Sequence, residues 1–538
     1  MKKRIPFLSF LLFYLFFSFA TYKDYGPTWD EQDTYQGGAD LHGFLIHGKP
    51  MAYMDPEHTY PYSFLLNFIP GQPDYEHFHL LNLLFAAFLF WALYEVLLSA
   101  LGSPLWALAG PMFLFCFPSF LGSIPANPKD IPFAVFYFLS LAVLYLFERI
   151  FPQLKFRWFF LGILFGLTLS SRIVGFTLLP LMVFYDLFLY WTGKTKIQRT
   201  AHSTRFARSG GHAKTPRKSL LAKKAGNSKP FQKSNKRKTE PLQKWLKKKT
   251  LEWFGTLVVS QVVCMILWPF IGQNYFKNMP LVFWLSARFP PKFSFLFMGR
   301  MADSLNYPWY YLPVWIAITT PLFLLAYFLG SLLFYKRAKD NPLYALLAGT
   351  LALNLGLYFI LHPAVYDGLR HFLYLLPILA ALAAFAFIEF FKKNKWGSGR
   401  KLAAGLTFIG VLLTATEMVR LHPYEYIYFN QTVGGFKGAY GKYETDYWVA
   451  SMKEAVEWLK ANEIRDPKTT YKIYADGKPF QSRDYFSPPM VLEPKRDQAD
   501  FAILMTRAGI KPAPGDEGKV IHRVEREGAP LSFILKLR

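Results

Sequence analysis

Charged residues are scarce in this sequence. They make up 18% of the 538 residues, whereas 52% of the residues are hydrophobic and 19% are aromatic. A soluble chain of this length would fold into several domains with polar surfaces. The apolar residues instead occur in long runs, which is typical of proteins that cross a membrane several times. The composition therefore argues against an ordinary soluble protein and predicts an all-α membrane fold.

Cysteines are few, and repeats and a signal-peptide cleavage pattern are missing. The two cysteines, Cys116 and Cys264, lie inside apolar runs, so they cannot form a disulfide that stabilises an external domain. No repeat of fixed period is present. The first apolar run, 5–21, follows Lys2-Lys3-Arg4 but precedes no small-residue cleavage pattern. We therefore interpret it as a retained first span and not as a signal peptide.

The apolar runs predict about eleven transmembrane helices. They lie at 5–21, 78–101, 104–122, 131–149, 158–172, 174–191, 251–270, 309–335, 343–361, 372–391 and 402–420. Basic residues favour the cytoplasmic side of a membrane, and with a cytoplasmic N-terminus the basic connecting segments fall on that side. The prediction is a multi-pass protein of the inner or plasma membrane, with an N-terminal membrane half at 1–191 and a C-terminal membrane half at 251–420.

The segment 192–250 carries most of the formal charge. Between residues 194 and 249 there are 19 Lys/Arg against one acid, Glu240, which supplies +18 of the chain's +25. Few apolar residues occur there, so we predict a disordered cytoplasmic loop. Aromatic residues do not alternate with the basic ones, as they would on a surface that stacks the bases of single-stranded nucleic acid. Nucleic acid is therefore not an expected partner. Two interpretations of this loop stay open. It is either a solvated insertion that sets the membrane topology or a segment that contacts anionic lipid.

The composition changes after residue 420, and the charges become nearly balanced. Ser451 to Glu454 has a capping-box pattern, which predicts a helix through Trp458 and Leu459. Strand-like runs follow at 470–474, 501–505 and 531–537, with a turn at Asp476-Gly477. We predict that 421–538 forms a small α/β domain on the external (periplasmic) side, where the C-terminus also lies.

The predicted external loop 22–77 contains an acidic cluster beside the membrane. Asp30 and Glu31 follow the first span closely, and Asp130 opens the fourth span on the same predicted face. Negative charge beside hydrocarbon is costly and usually functional. Two carboxylates at the ends of different spans can share a cleft, where one acts as general base and the other orients the acceptor or holds a divalent cation. The alternatives are a solvated loop acid for Asp30 and a helix N-cap for Asp130.

Basic side chains lie at the same predicted face. The candidates for binding a phosphate are Arg370, His371, Arg172 and Lys129. Arginine binds phosphate in a bidentate manner, so these residues fit a departing phosphate group. Snorkelling at the interface is the alternative for Arg370. Three further residues are either metal ligands or packing residues, and the metal requirement stays open: Glu76, His77 and His79.

The order of these motifs resembles the GT-C glycosyltransferases. The shared features are the Asp30-Glu31 pair after the first span, the Asp130 turn before the fourth, and an arginine, Arg370, at the mouth of a late span. Within that superfamily the chain is similar to the bacterial type of the protein O-mannosyltransferase and lipid A aminoarabinose transferase family. The C-terminal stretch 422–458, which contains Asp446-Tyr447-Trp448, is also similar to a region of bacterial members.

This resemblance implies a polytopic GT-C bundle and a polyprenyl-phosphate sugar as donor. It also implies a base at the Asp30-Glu31 position and inverting transfer on the external side of the membrane. The acceptor is a lipid, a glycan or a protein. The alternative functions are a transporter or flippase of lipid-linked sugar and a non-catalytic scaffold. A transporter should contain internal repeats and charged or broken helices at mid-membrane, whereas the charges here cluster at helix ends.

Overall fold

The computed structural model describes most of the chain. The described residues are 4–51, 54–56, 59–70, 74–150, 154, 156–193, 241–288, 293–333, 335–339, 341–393 and 397–538. The larger part of the predicted basic loop, 194–240, lies outside the described residues. The last nine residues assigned to that loop are helical instead, because a helix begins at Leu242. Its first turns are held by Lys249, whose Nζ lies 2.9 Å from Asp186 Oδ1.

Within the described residues, seven helices are long and apolar enough to cross a membrane. They are Tyr75–Leu101, Asp130–Phe147, Ile173–Trp191, Leu242–Leu267, Pro342–Leu361, Arg370–Lys392 and Gly397–Leu421. Four shorter apolar helices accompany them: Ile5–Thr21, Pro104–Phe115, Arg157–Ser171 and Leu322–Leu333. Each predicted span overlaps one of these helices. The helices indicate a multi-pass membrane protein, although only seven reach the length required for a span on their own.

Prolines divide two of the predicted spans. The run 309–335 forms two helices, Tyr311–Thr319 and Leu322–Leu333, which are separated at Pro321. The run 104–122 is likewise divided, and its last helix starts at Pro118. A proline lacks a backbone N–H and clashes with the preceding turn, so it is best tolerated in the first turn of a helix and tends to break a helix elsewhere. Length and hydropathy alone could not reveal these breaks.

Shorter helices complete the chain. They are Glu31–His47, Pro61–Leu66, Pro118–Leu121, Pro269–Gln273, Tyr275–Ala287, Tyr311–Thr319, Tyr335–Ala338, Gly435–Ala439, Met452–Asn462 and Pro479–Arg483. In the chain, a hairpin of strands β1 (Ser294–Phe297) and β2 (Arg300–Asp303) follows helix Tyr275–Ala287 and precedes helix Tyr311–Thr319. Helix Arg370–Lys392 is the centre of the bundle, because 89% of its most apolar window is buried. Its first residue, Arg370, therefore lies on a deeply buried element.

The C-terminal region contains one mixed five-stranded sheet. Its strands are β3 (Tyr471–Ala475), β4 (Met490–Leu492), β5 (Phe501–Met505), β6 (Val520–Arg526) and β7 (Ala529–Lys536). They are ordered β4-β3-β5-β7-β6, with β3 parallel to β4 and β5, and β7 antiparallel to β5 and β6. The predicted runs coincide with β3, β5 and β7. Strands β4 and β6 were not predicted, since β4 has three residues and β6 carries four charged or imidazole side chains among seven.

The predicted capping box at Ser451 is wrong, although the helix does begin at Met452. Ser451 Oγ donates a hydrogen bond to Asp446 Oδ2 at 2.6 Å and does not cap the helix. Glu454 binds Arg526 Nη2 at 2.7 Å instead of the helix terminus. A buried carboxylate needs hydrogen-bond donors, so Asp446 recruits the hydroxyl that the local pattern assigned to the cap. Burial also raises the pKa of Asp446.

The C-terminal region packs against one end of the helix bundle, which we call the site end. His422 Nε2 lies 3.0 Å from Asp24 Oδ2, just beyond the first helix. Gln481 Nε2 donates to the carbonyl oxygen of Pro27 at 3.1 Å. These contacts place the sheet next to the segment that carries Asp30. The helices that begin at Asp130 and Arg370 also start at this end of the bundle. Arg370 contacts both Asp30 and Asp130 there.

Candidate active site

Asp30 lies at the start of helix Glu31–His47, in a turn that is fixed from several sides. Thr34 donates to the Asp30 carbonyl oxygen through both its N–H (3.1 Å) and its Oγ1 hydroxyl (2.7 Å). Thr28 donates its Oγ1 hydroxyl to the Ala126 carbonyl oxygen at 2.6 Å, which joins this turn to the chain just before Asp130. The backbone of Asp30 is therefore held in place, while its side chain is 26% exposed.

Glu31 was predicted to be catalytic together with Asp30, but it points away from the cluster. Its side chain is fully buried. Oε1 accepts a hydrogen bond from the Thr28 N–H at 2.7 Å, and Oε2 lies 2.9 Å from His79 Nε2. Both carboxylate oxygens are therefore used to fasten the turn. Glu31 therefore has no part in the ion pairs of Asp30, and its catalytic role stays a prediction.

Asp130 begins its helix but does not cap it. The cap is Asn127, whose Oδ1 accepts from the Asp130 N–H at 2.8 Å and from the Lys129 N–H at 3.3 Å. Asn127 Nδ2 also donates to Asp130 Oδ2 at 3.0 Å. The N-cap alternative for Asp130 is therefore wrong. Because Asn127 satisfies the helix terminus, the Asp130 carboxylate is left to bind cations.

Arg370 joins three carboxylates from different parts of the chain. Its guanidinium contacts Asp30 Oδ2, donates to Asp367 Oδ2 at 3.1 Å, and lies 3.4 Å from Asp130 Oδ2. Arg172 contacts the other oxygen of Asp130. The structure thus brings together Asp30, Asp130, Arg370 and Arg172, which the sequence placed at the ends of separate spans. The cluster is nearly charge-neutral, as a buried set of ions requires.

Two of the predicted phosphate-binding residues lie around this cluster without joining its ion pairs. His371 packs edge-on against Tyr366, with 4.7 Å between the ring centroids. Lys129 is half-buried, and burial lowers the pKa of its ammonium group to about 8, helped by the cations Arg172 and Arg370. Asp30 and Asp130 oppose that decrease. Lys129 is therefore a cation that an additional anion would stabilise.

The sequence analysis missed two residues of the cluster, Asp367 and Arg507. Asp367 is almost completely buried and has a φ of 56°, in the left-handed region that is strained for a non-glycine residue. Burial raises the pKa of its carboxyl group, and Arg507 and Arg370 oppose this effect. Arg507 Nη2 lies 3.1 Å from Asp367 Oδ1. The acid three positions before Arg370 was a usable signal for Asp367, whereas nothing local pointed to Arg507.

Exposure distinguishes the three carboxylates around Arg370. The side chain of Asp30 is 26% exposed, compared with 3% for Asp130 and 1% for Asp367. A general base must reach the proton that it removes. Asp30 is therefore the most accessible of the three carboxylates, while Asp130 and Asp367 are enclosed with their arginines.

A cavity of about 340 Å³ lies along helix Glu31–His47. Its lining residues are Gln32, Asp33, Gln36, Gly37, Asp40, Leu41, Met51, Met54, Asp55, Thr59, Tyr60, Trp268, Pro269 and Phe270. Asp33 and Asp40 are seven positions apart, and residues at this spacing share one face of a helix. Asp30 precedes Asp33 by three positions, so the cavity runs along the helix face that leads to Asp30.

The three residues proposed as alternative metal ligands do not converge. Glu76 lies 3.5 Å from Lys453 Nζ, His77 Nδ1 lies 2.7 Å from Asp74 Oδ1, and His79 binds Glu31. Within the described residues, no group of three or more His, Cys, Asp or Glu side chains could hold a metal ion. A guanidinium, that of Arg370, occupies the position between the carboxylates. The donor set of this cluster therefore does not fit a divalent metal.

No protein-family model and no curated protein matches the chain. Similar solved structures include ArnT from Cupriavidus metallidurans bound to undecaprenyl phosphate, at 11% identity and a TM-score of 0.48, covering 99% of this chain and 97% of that chain. Another is the archaeal oligosaccharyltransferase AglB from Archaeoglobus fulgidus in complex with an inhibitory peptide and a dolichol-phosphate. It has 12% identity and a TM-score of 0.45, covering 91% of this chain, which spans 65% of the AglB chain.

Proposed function

We propose that this protein is a glycosyltransferase that moves a sugar from a polyprenyl-phosphate donor to an acceptor on the external side of the membrane. The observation that carries the proposal is the cluster at the site end, where a partly exposed carboxylate, Asp30, contacts a buried arginine, Arg370. Arg172 and Lys129 lie beside the same pair and add two further cations. Transfer from a lipid phosphate requires a base and cations near each other, and this end of the bundle offers both.

The cations fit the change in charge during such a reaction. A polyprenyl-phosphate sugar is a phosphodiester with one negative charge, and the polyprenyl phosphate that leaves carries a second one. Groups that stabilise this developing charge accelerate the reaction, most strongly where water is excluded. We propose that Arg370, Arg172 and Lys129 hold the phosphate as it departs, since an arginine guanidinium matches phosphate oxygens in a bidentate geometry.

Asp30 would act as the general base. The acceptor O–H gives its proton to the Asp30 carboxylate, the acceptor oxygen bonds to the anomeric carbon, and the bond from that carbon to the phosphate oxygen breaks. A single displacement of this kind inverts the anomeric configuration. All three carboxylates pair with an arginine, but the side chains of Asp130 and Asp367 are nearly buried, so the more exposed Asp30 is the carboxylate proposed for this step.

The cavity beside Asp30 is the proposed acceptor site. Asp33, Asp40 and Gln36 offer oxygens that accept hydrogen bonds, and Trp268 offers an aromatic surface. Among the described lining residues none is basic. Such a lining suits an acceptor rich in hydroxyl groups, because it offers several hydrogen-bond acceptors and apolar ring faces. The bias of basic residues predicts that this end of the bundle faces away from the cytoplasm.

A transfer assay with defined donors tests the proposal. The purified protein is reconstituted in vesicles with radiolabelled polyprenyl-phosphate sugars and a mixture of lipid, glycan and peptide acceptors. We expect free polyprenyl phosphate and a labelled acceptor to form together. Movement of intact donor across the bilayer without cleavage would instead identify the transporter alternative.

Alkaline pH should weaken the use of the donor. The Lys129 pKa of about 8 means that its ammonium group loses its proton as the pH rises through that value. We expect kcat/KM for the donor to decline above about pH 8, because a cation near the phosphate is lost. Lys129→Arg keeps its charge at these pH values and should move the decline to higher pH. Identical alkaline profiles for both proteins would contradict the role of Lys129.

Removing divalent metals should leave transfer unchanged. The Arg370 guanidinium lies between the carboxylates of the cluster, where a metal would have to bind, and within the described residues no group of three or more His, Cys, Asp or Glu side chains could hold a metal ion. We expect the same kcat with excess EDTA and with added magnesium or manganese. A loss of activity in EDTA that magnesium restores would show that a metal takes part, and would contradict the assignment of the phosphate to Arg370, Arg172 and Lys129 without a metal.

A further inference from the structure

The C-terminal region holds the segment around Asp30 at three points. Gln481 Nε2 donates to the Pro27 carbonyl oxygen at 3.1 Å, and Lys478 forms an ion pair with Asp33. The third contact is made by Arg507, whose guanidinium carbon lies 5.4 Å from the centre of the Trp29 ring. All three come from the sheet region beyond residue 470, and together they enclose residues 27–33.

Arg507 is the member of this set that also reaches the ion cluster. Its Nη2 lies 3.1 Å from Asp367 Oδ1 and 3.3 Å from Asp367 Oδ2. Asp367 in turn accepts a hydrogen bond from Arg370, the partner of Asp30. Arg507 therefore has two contacts. On one side it packs on Trp29, the residue before Asp30, and on the other it binds Asp367, which also binds Arg370.

The turn that carries Arg507 is itself anchored. It follows strand β5 as a short 3-10 turn, Arg507–Gly509. The Ala508 N–H donates to Glu444 Oε1 at 2.7 Å, and the Leu296 N–H of strand β1 donates to Glu444 Oε2 at 3.0 Å. Burial raises the pKa of Glu444 to about 7. Two backbone donors on one buried carboxyl group fix this turn against the membrane half.

We propose that Arg507 is a positioning residue of the transferase site, supplied by the C-terminal region. It shares Asp367 with Arg370 and packs on Trp29. It thereby holds the Arg370 guanidinium in its position against the Asp30 carboxylate. Without Arg507, the buried Asp367 has Arg370 as its remaining arginine partner and pulls that guanidinium away from Asp30. The membrane half alone would therefore hold an incomplete site. This inference rests on the proposed function, because the relative position of Arg370 and Asp30 matters for a reaction only if that reaction takes place at Asp30.

The first test compares kinetic constants of the reconstituted full-length protein. Arg507→Ala should lower kcat by about 100-fold, the loss expected when reacting groups move by about 1 Å, with a much smaller change in the donor KM. Arg507→Lys should recover part of the loss, and free guanidinium ion should partly restore Arg507→Ala. Arg496→Ala is the matched control, because Arg496 pairs with Asp516 in the same region and does not contact the cluster. Wild-type kcat in Arg507→Ala would overturn the inference.

The second test does not depend on activity. Hydrogen–deuterium exchange of the peptide covering residues 27–34 should increase in Arg507→Ala but not in Arg496→Ala. Increased exchange in Arg507→Ala, together with no transfer by the wild type, would show that Arg507 holds this segment in place and would refute the proposed function. Unchanged exchange, or a loss of activity that neither lysine nor guanidinium restores in a folded protein, would overturn the positioning role and leave the proposed function standing.

Discussion

Replacing Asp30 by asparagine is expected to reduce kcat by about 1,000-fold, within the range typical of losing a general base. The asparagine amide has nearly the same shape as the carboxylate and still offers an oxygen to Arg370, but it cannot accept the acceptor's proton. Donor affinity should change little, because Arg172, Lys129 and Arg370 all remain. The effect should therefore fall on kcat and leave the donor KM close to its wild-type value.

The measurement is single-turnover transfer from a labelled donor, with Asp24→Asn as the matched control. Asp24 lies six positions before Asp30 at the same end of the bundle, and it pairs with His422 outside the cluster. The control should keep kcat near wild type. Full turnover in Asp30→Asn would remove the base assignment, whereas equal losses in both variants would point to damage at the site end in general.

The grouping of Asp30, Asp130, Arg172 and Arg370 could be predicted from the sequence. All four follow or precede an apolar run at a helix end, and charged groups at the same level of a bundle meet when the helices pack. Burying one such charge alone is costly, so opposite charges pair there. The bundle itself followed from run length and hydropathy, which work well because a membrane span must satisfy its own backbone.

The roles inside the cluster could not be predicted from the same pattern. Asp30 and Glu31 are neighbours in sequence, but successive residues around a helix differ in direction by about 100°, so one faces the arginine and the other faces His79. The sequence gives no hint of which residue takes which direction. Asn127 likewise fills the capping role that composition alone would give to Asp130. Such assignments depend on the neighbours that the tertiary fold supplies.

Contacts between distant parts of the chain were the least predictable. Arg507 and Asp367 are 140 positions apart, and they meet only because the sheet region docks on the site end. The turn with Arg507 lies in a region whose composition is that of a soluble domain. In such a region an arginine is normally a solvated surface residue. The contact of Arg507 with Asp367 becomes visible only when the docking of the C-terminal region is known. The strands β3 and β5, in contrast, were evident locally because each is a short segment that contains β-branched and aromatic residues and is bounded by polar ones.

Replacing Arg370 by alanine is expected to damage both the reaction and the fold. The variant leaves Asp130 and Asp367, each nearly buried, without one of their cations. Breaking a buried ion pair in this way typically costs about 3–5 kcal/mol in the free energy of unfolding. The donor phosphate would also lose a guanidinium, so donor affinity should decrease strongly. Arg370→Lys restores one positive charge but cannot span three carboxylates, since an ammonium is a point charge without the planar fork.

We therefore expect a graded result, in which Arg370→Lys recovers part of the thermal stability but little of the donor binding. The unfolding temperature in detergent, measured with and without undecaprenyl phosphate, separates the two effects, because a ligand that binds the folded state raises the unfolding temperature by an amount that grows with the ratio of its concentration to its Kd. Arg300→Ala, on the exposed strand β2, is the control and should match the wild type. An Arg370→Ala protein with wild-type stability and a wild-type shift by the lipid phosphate would exclude the cluster as the phosphate site. A loss of stability with an unchanged lipid-induced shift would make Arg370 a structural residue, and the phosphate would then have to be bound by Arg172 and Lys129.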